Sequence, residues 1–283
     1  MSGSGRAGLP IGVCIGSIGA SAAWWLESAR RLEAAGYAGV WSWDHFMGRG
    51  DRTVPVIEAW TVLSAAAATT ERVTVGTFVA NVMNRHPAVL ARMAVTLQEL
   101  SGGRLILGIG IGGHPAEHRA LGIPFPEAPE RAARLEEAVA VLRALWAGGP
   151  VSRPSPFYPL EEAVARPVPR PVPRILIGGE TSAGARLAGR IGDGWTAFDT
   201  TFETSLPVYL GSLEAAGRKR ADQLVLVGVQ GGRSGEDALG ASPWIDAPRE
   251  TWQRWREAGA DGAVVTARTT ADVDALVAAT GRW

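Results

Sequence analysis

The chain has 283 residues, with 28 basic and 28 acidic side chains and no net formal charge. This balance gives no indication of binding to nucleic acid or to an anionic membrane surface. Cys14 is the only cysteine, which excludes an intrachain disulfide and favours a reducing compartment. No run reaches the roughly 18 apolar residues of a membrane span. We therefore expect a soluble cytoplasmic protein that acts on a small molecule, with neither nucleic acid nor membrane as partner.

Short apolar runs recur along the chain and predict strands buried on both faces, as in a parallel sheet. Segments with helical apolar spacing separate them. The predicted strands cover residues 9–16, 38–44, 73–81, 104–110, 174–179, 194–198, 223–230 and 262–267, and the predicted helices cover residues 21–36, 59–70, 87–103, 129–149, 181–192, 203–217, 248–259 and 269–280.

Strict alternation of eight strands with eight helices predicts an α/β protein with a closed (β/α)8 barrel, the TIM barrel. An open, doubly wound sheet is the rival fold, but it rarely has eight regular units, and no G-x-G-x-x-G follows the first strand. We interpret residues 1–283 as a single domain with a tail at residues 1–8. Residues 148–173 hold eight prolines, so this insertion is largely extended. It is either a stiff connector or a lid over the barrel mouth.

The chemistry of such barrels lies at the carboxyl ends of the strands. The second predicted strand ends at Asp44 and His45, two groups that can hold or move a proton. The only lysine, Lys219, lies in a basic loop, which argues against Schiff-base chemistry. His114 and His118 are four residues apart, a spacing that zinc can use. Pro115 lies between them and no further ligands follow, so we expect a structural or surface role and no metal.

Glycines and small hydroxyl residues follow the fourth and fifth predicted strands. "GIGIGG" (108–113) permits a close approach of a ligand to the backbone. "GGETSAG" (178–184) opens a helix, and a helix N-terminus with free N–H groups favours a phosphate. The two clusters together predict a phosphorylated cofactor across the barrel mouth.

Several longer motifs carry a family resemblance over nearly the whole chain. They are "VWSWDHF" (40–46), "RHPAVLARMAVTLQELSGGRLILGIGIG" (85–112), "EHRALGIPFP" (117–126), "RPVPRILIGG" (170–179) and "IGDGW" (191–195). On these motifs the chain resembles the luciferase-like monooxygenase superfamily, in the branch that uses the deazaflavin coenzyme F420. The resemblance implies a bacterial luciferase-like barrel that holds a flavin-type cofactor at its mouth.

The resemblance also implies roles for individual residues. His45 and Asp44 are the expected catalytic residues, with His45 handling a proton and Asp44 setting its tautomer. The end of the third strand is expected to lie beneath the cofactor ring, with a nonproline cis peptide between Phe78 and Val79. The glycine pair Gly178-Gly179, followed by hydroxyls at a helix start, separately predicts that a bulky residue at Gly179 weakens cofactor binding and leaves the fold intact. The full set of expected cofactor contacts is Thr77, Phe78, Val79, Asn81, Gly110, Gly112, Gly178, Gly179, Glu180, Thr181 and Ser182.

The function implied is an F420-dependent oxidoreductase that moves a hydride between the cofactor and a small organic substrate. The alternatives are a monooxygenase that uses reduced FMN and oxygen, and a flavin-binding barrel without catalysis. Sugar-phosphate dehydrogenases of the branch carry an acidic residue where this chain has Gly113 and His114, which argues against a sugar phosphate. The large insertions of true luciferases are shortened in this chain, which argues against aldehyde-dependent light emission. A homodimer is a possible assembly, and the sequence specifies neither the substrate nor the reaction direction.

Overall fold

The computed structural model of the chain describes residues 9–48, 50–229 and 242–283. Eight parallel strands in this part of the chain close into a barrel, which confirms the predicted fold. The predicted tail of residues 1–8 lies outside the described residues. The strands are β1 (Leu9–Ile15), β2 (Tyr37–Ser42), β3 (Thr74–Asn81), β4 (Leu105–Gly110), β5 (Val151–Arg153), β6 (Leu160–Ala163), β7 (Arg174–Gly178), β8 (Gly194–Phe198), β9 (Leu224–Val229) and β10 (Gly262–Ala267).

The barrel runs in the order β1-β10-β9-β8-β7-β4-β3-β2, while β5 and β6 form a separate antiparallel hairpin. All eight predicted helices are present, and α4 and α8 are additional. In the described part of the chain, no helix combines the length and apolarity needed to cross a bilayer. The helices are α1 (Ala22–Ala34), α2 (Ala59–Thr69), α3 (Pro87–Leu100), α4 (Pro115–Leu121), α5 (Ala128–Trp146), α6 (Ser182–Ile191), α7 (Asp199–Ala215), α8 (Pro243–Asp246), α9 (Pro248–Glu257) and α10 (Thr270–Ala279).

Local chemistry accounts for where the helices begin and end. The Ser21 side chain accepts the Trp24 N–H at the start of α1, and Gly36 beyond its end has a φ of 95° that favours glycine. Helix α10 begins with a reciprocal capping box between Thr269 and Asp272. Each cap fixes the point at which the chain leaves a helix for the next strand or loop.

Trp41, which is 2% exposed, fills part of the barrel interior. Three neighbouring glycines make room for its indole. A Cβ at Gly12, Gly39 or Gly76 would lie 2.6, 2.7 or 2.8 Å from a Trp41 atom. Cys14 packs in the same interior cluster, and burial raises the pKa of its thiol. The interior is therefore a packed core, and ligand chemistry is confined to the mouth of the barrel.

The proline-rich insertion climbs the outside of the barrel. The Gln98 side chain on α3 donates to the Pro171 carbonyl at 2.7 Å, and Arg153 of β5 pairs with Glu137 of α5 at 2.9 Å. Tyr158, at the turn between β5 and β6, is 6% exposed. These contacts hold the segment against α3 and α5, which favours the stiff connector over the lid.

Candidate active site

His45 lies just beyond the carboxyl end of β2 and is held by a carboxylate from the fourth strand's loop. Its Nδ1 is 3.1 Å from Oε2 of Glu117 on α4. Glu117 also accepts the backbone N–H of Phe46 through Oε1 at 2.8 Å. The Glu117 side chain is 4% exposed and the His45 side chain 21% exposed. One edge of the imidazole is thus fixed to the protein, while part of the side chain stays exposed.

Hydrogen bonding keeps Glu117 in its charged form. Burial raises the pKa of its carboxyl group, but the hydrogen bonds from His45 and from the Phe46 N–H outweigh burial. The pKa of Glu117 therefore lies below its usual range. A charged, nearly buried carboxylate next to a histidine is an arrangement that recurs at proton-transfer sites.

Asp44 has partners other than His45. Its carboxylate oxygens accept from the two terminal nitrogens of Arg85 at 2.6 and 2.9 Å, and Oδ2 also accepts the Asn81 N–H at 2.9 Å. The expectation that Asp44 sets the tautomer of His45 is therefore wrong, because Glu117 is the carboxylate on the imidazole. Asp44 ties the loop after β2 to the end of β3.

The other two histidines of this region differ in their surroundings. The His114 ring meets the His45 ring edge-on, with centroids 4.7 Å apart. His118 is 1% exposed, its Nε2 lies 2.7 Å from the Asn81 side-chain nitrogen, and its ring packs on Phe125. Among the described residues, no group of three or more His, Cys, Asp or Glu residues is arranged to hold a metal. These contacts give His118 a structural role.

Burial of His118 lowers the pKa of its imidazole in the folded chain. The stability of the protein therefore depends on pH through this residue. As pH falls below about 6.5, the unfolded chain takes up this proton first, so the free energy of unfolding decreases. When the pH is lowered from about 7.5 to about 5.5, we expect the free energy of unfolding to decrease less in His118→Gln than in the parent. Urea denaturation at both pH values measures this, with the exposed His86→Gln as control. Equal losses in parent and His118→Gln would contradict it.

The end of β3 is bulged. The Phe78–Val79 peptide is cis, as predicted, and the pairing of β3 with β4 shifts register between Thr77 and Ala80. Val79 projects into space left by glycines. A Cβ at Gly110 would lie 3.0 Å from a Val79 methyl, and one at Gly178 would lie 3.0 and 3.1 Å from both methyls. These two glycines therefore have a packing reason of their own, and their phosphate contact stays a prediction.

A mutant cycle can measure this packing. We expect Gly178→Ala to lower the free energy of unfolding by roughly 1–3 kcal/mol through overpacking against Val79. In Val79→Ala the added methyl group finds room, so the double variant should lose less than the sum, with a coupling of about 0.5–3 kcal/mol. Urea denaturation of the four proteins gives the coupling. Gly113→Ala is the control, because a Cβ there has no neighbour within 4 Å. Additive losses would show that the two positions are independent.

Residues 179–182 connect β7 to α6. The Thr181 hydroxyl accepts the Gly184 N–H at 3.2 Å and caps the helix, and Glu180, Thr181 and Ser182 are exposed. A Cβ at Gly179 would lie 2.6–2.9 Å from the backbone of Gly184. A bulky residue at Gly179 would thus displace α6, so the expectation that such a variant leaves the fold intact is wrong.

Aromatic side chains also reach the barrel mouth. The Arg268 guanidinium, beyond the end of β10, lies 5.3 Å from the centroid of the Trp43 ring beyond β2. Phe78 meets Trp41 edge-on at 5.9 Å. A Cβ at Gly228 would come within 3.0 Å of the Phe78 ring. Neither Trp43 nor Arg268 was predicted as a site residue, although Trp43 lies at the end of the predicted strand 38–44 and Arg268 directly follows the predicted strand 262–267.

Gly112 and Asn81, two of the predicted cofactor contacts, meet each other. Gly112 has a φ of 76°, and a Cβ there would lie 2.5–2.7 Å from the Asn81 amide group. The Asn81 side-chain oxygen accepts the Met83 N–H at 3.0 Å. The Thr77 hydroxyl donates to the Gly108 carbonyl at 2.6 Å. The structure brings the predicted set together at the ends of β3, β4 and β7. The polar groups of Thr77 and Asn81 already form hydrogen bonds within the protein.

The fold and the site define a class: a (β/α)8 barrel whose charged and titratable side chains gather at the carboxyl ends of neighbouring strands. The model of the luciferase-like monooxygenase family matches residues 13–231. The chain belongs to this family, and the resemblance read from the motifs is confirmed.

Individual relatives are named for the deazaflavin. The chain is 36% identical over 194 residues to an F420-dependent glucose-6-phosphate dehydrogenase of Microbacterium testaceum, covering 66% of this chain and 56% of that protein. It is 32% identical over 209 residues to an F420-dependent hydroxymycolic acid dehydrogenase of Mycobacterium tuberculosis, covering 71% and 58%. The chain thus spans little more than half the length of these curated relatives.

A solved structure with a similar fold is an F420-dependent secondary alcohol dehydrogenase in complex with an F420-acetone adduct. The TM-score is 0.84 with 21% sequence identity, covering 96% of this chain and 98% of that one. At this identity the likeness concerns the fold alone, and it extends over the whole barrel.

Proposed function

We propose that the chain is an F420-dependent oxidoreductase that transfers a hydride between the deazaflavin and a small organic substrate. The observation that carries the proposal is His45, fixed by Glu117 at the barrel mouth beside the bulged end of β3. Family membership and the F420-dependent relatives support the choice of cofactor. The substrate is an alcohol or a carbonyl compound, since the interconversion of these two moves a hydride and a proton together.

The residues present fit a cofactor of this kind. The N-terminus of α6 is exposed at the mouth, and its first backbone N–H groups are suited to a phosphate. Thr196 lies beside Gly178 in the register of β7 with β8. Its hydroxyl is buried and has no hydrogen-bond partner among the described residues. A buried hydroxyl without a partner requires an explanation, and a polar group of a bound cofactor would supply one.

A bound deazaflavin would supply the acceptor for a hydride from the substrate carbon. The protein's own part is to remove the hydroxyl proton of the alcohol, and an imidazole is suited to that task near neutral pH. His45 takes this proton while Glu117 stabilises the charge that forms on the ring. Trp43 and Phe78 are partly exposed and would supply apolar faces beside the reacting atoms. In the reverse direction the same imidazole returns the proton to the carbonyl oxygen.

Titration of the purified protein with F420 and with FMN, followed by fluorescence, tests the proposal. We expect tighter binding of F420. Loss of F420 absorbance is then followed with secondary alcohols and with glucose 6-phosphate, and alcohols are the expected substrates because Gly113 and His114 replace the acidic residue of the sugar-phosphate enzymes. Tighter FMN binding with oxygen consumption would favour a monooxygenase. Binding of F420 without turnover of any alcohol, imine or enone would favour a barrel without catalysis.

A further inference from the structure

We propose that Glu117 is a positioning residue that holds His45 as the tautomer with its proton on Nδ1, leaving Nε2 as the proton acceptor. This inference rests on the proposed function, in which His45 handles the substrate proton. Glu117 contacts the imidazole and the adjacent backbone, and it acts on the substrate only through His45.

The two carboxylate oxygens of Glu117 hold two successive residues of the loop after β2. Oε2 lies on Nδ1 of His45 at 3.1 Å, and Oε1 accepts the Phe46 N–H at 2.8 Å. The backbone and the side chain of the loop are therefore oriented by one group. The Glu117 side chain is 4% exposed, so water competes little for either bond. The His114 ring lies against His45 from the same loop as Glu117.

The chemistry of the donors and acceptors fixes the tautomer. The pKa of Glu117 is lowered, so its carboxylate is ionised at neutral pH and can only accept hydrogen bonds. The Nδ1 atom must then donate, which places the single proton of the neutral imidazole there. Nε2 keeps its lone pair and can bind the substrate hydroxyl.

The proposed step balances in protons and electrons. The alcohol O–H proton would move to Nε2 of His45, and a bound deazaflavin would accept the hydrogen of the C–H bond as hydride while the carbonyl forms. The resulting imidazolium donates through Nδ1 to the Glu117 carboxylate, which stabilises its positive charge. No proton needs to move to Glu117 at any point.

An amide at position 117 should invert the tautomer. The Phe46 N–H can only donate, so the carbonyl oxygen of Glu117→Gln must face it. The amide NH2 group is then left facing Nδ1 of His45. Nδ1 is forced to accept, so the proton moves to Nε2, which can no longer take one from the substrate. Glu117→Ala, in contrast, offers neither a donor nor an acceptor and should leave a mixture of tautomers.

The test uses nitrogen-15 NMR of histidine-labelled protein without cofactor, because the shifts of the two ring nitrogens distinguish the tautomers. The chain has four histidines, and His45→Ala identifies the relevant signals. We expect the Nδ1–H form in the parent, the Nε2–H form in Glu117→Gln and a mixture in Glu117→Ala. Glu137→Gln, which alters a carboxylate of α5 paired with Arg153, should keep the parent signals.

Kinetics provide the second readout. Glu117→Gln should lower kcat by about 10²–10⁴-fold, with a much smaller change in F420 affinity, while Glu137→Gln keeps the parent rate. A Glu117→Gln protein that retains the Nδ1–H signal would overturn the inference whatever its activity, and so would one that inverts the tautomer at an unchanged kcat. If the parent neither binds nor reduces F420, the proposed function fails, while the NMR result still decides whether Glu117 sets the tautomer.

Discussion

On the proposed function, the rate of F420 reduction is expected to fall by about 10²–10⁴-fold in His45→Ala, the usual contribution of a general base. The variant keeps the barrel, the bulge of β3 and the N-terminus of α6, so the affinity for F420 should change far less. The physical reason is that a hydride leaves an alcohol carbon only as the hydroxyl proton is removed. Steady-state rates of F420 reduction, with the affinity measured by fluorescence, separate the two effects.

His86→Ala is the matched control, since this exposed histidine begins α3 on the outside of the barrel. It should keep the parent's kcat. A His45→Ala protein that binds F420 and turns over at the parent rate would remove His45 from catalysis. One that loses the cofactor altogether would make His45 a binding residue, and the base would then be sought between Glu117 and His114, since His118 is buried.

The barrel itself could be predicted from the sequence because each of its strands is a separate apolar run. Burial on both faces makes a strand such as β9 or β10 almost continuously apolar, and the helices between the strands carry their own spacing. The short helix α4 was missed because it has 7 residues, too few for a helical period to show. The cis peptide at Phe78–Val79 was predicted from the motif and not from any local propensity.

The partner of His45 could not be predicted, for two physical reasons. Asp44 and His45 are neighbours just beyond the end of β2, where no strand period shows which way either side chain points. Asp44 pairs with Arg85, whereas His45 pairs with Glu117. Glu117 is 72 residues away from His45, and only the docking of α4 brings it there. The motif "EHRALGIPFP" contains Glu117, but the motif does not indicate that Glu117 contacts the loop after β2.

Glycines posed a different difficulty. Gly110 and Gly178 were predicted from sequence as close approaches of a ligand, and the structure shows a close approach of Val79. A close ligand and a close Val79 side chain each require a residue without a Cβ. The presence of glycine therefore does not distinguish the two causes. The difference lies in the bulge of β3, whose geometry depends on contacts between strands and not on the local sequence of β4 or β7.

Arg85→Met is expected to lower the free energy of unfolding by about 3–5 kcal/mol, because it strands a buried charge. The Asp44 side chain is 1% exposed and the Arg85 side chain 11% exposed. Without the guanidinium, the Asp44 carboxylate still accepts the Asn81 N–H, but no cation pairs with it. The variant also loses the contacts of the guanidinium with the rings of Phe46 and Trp60. Urea denaturation at neutral pH measures the loss.

Arg30→Met provides the matched control. Arg30 forms an ion pair with Glu27 on the surface of α1, where the two side chains are 47% and 59% exposed. Water already solvates both charges there, so the loss should stay within about 1 kcal/mol. Comparable losses in Arg85→Met and Arg30→Met would mean that burial adds nothing to the Asp44–Arg85 pair.

A double variant shows whether the stranded charge is the cause. In Asp44→Asn/Arg85→Met, the asparagine oxygen still accepts the Asn81 N–H but carries no charge, so part of the stability lost in Arg85→Met should return.

Asp44→Asn alone tests the catalytic role that the resemblance implies for Asp44. Because Asp44 bonds to Arg85 and Asn81 and not to His45, Asp44→Asn should lower kcat far less than His45→Ala does. A folded Asp44→Asn protein with kcat reduced as far as in His45→Ala would restore Asp44 to the catalytic machinery.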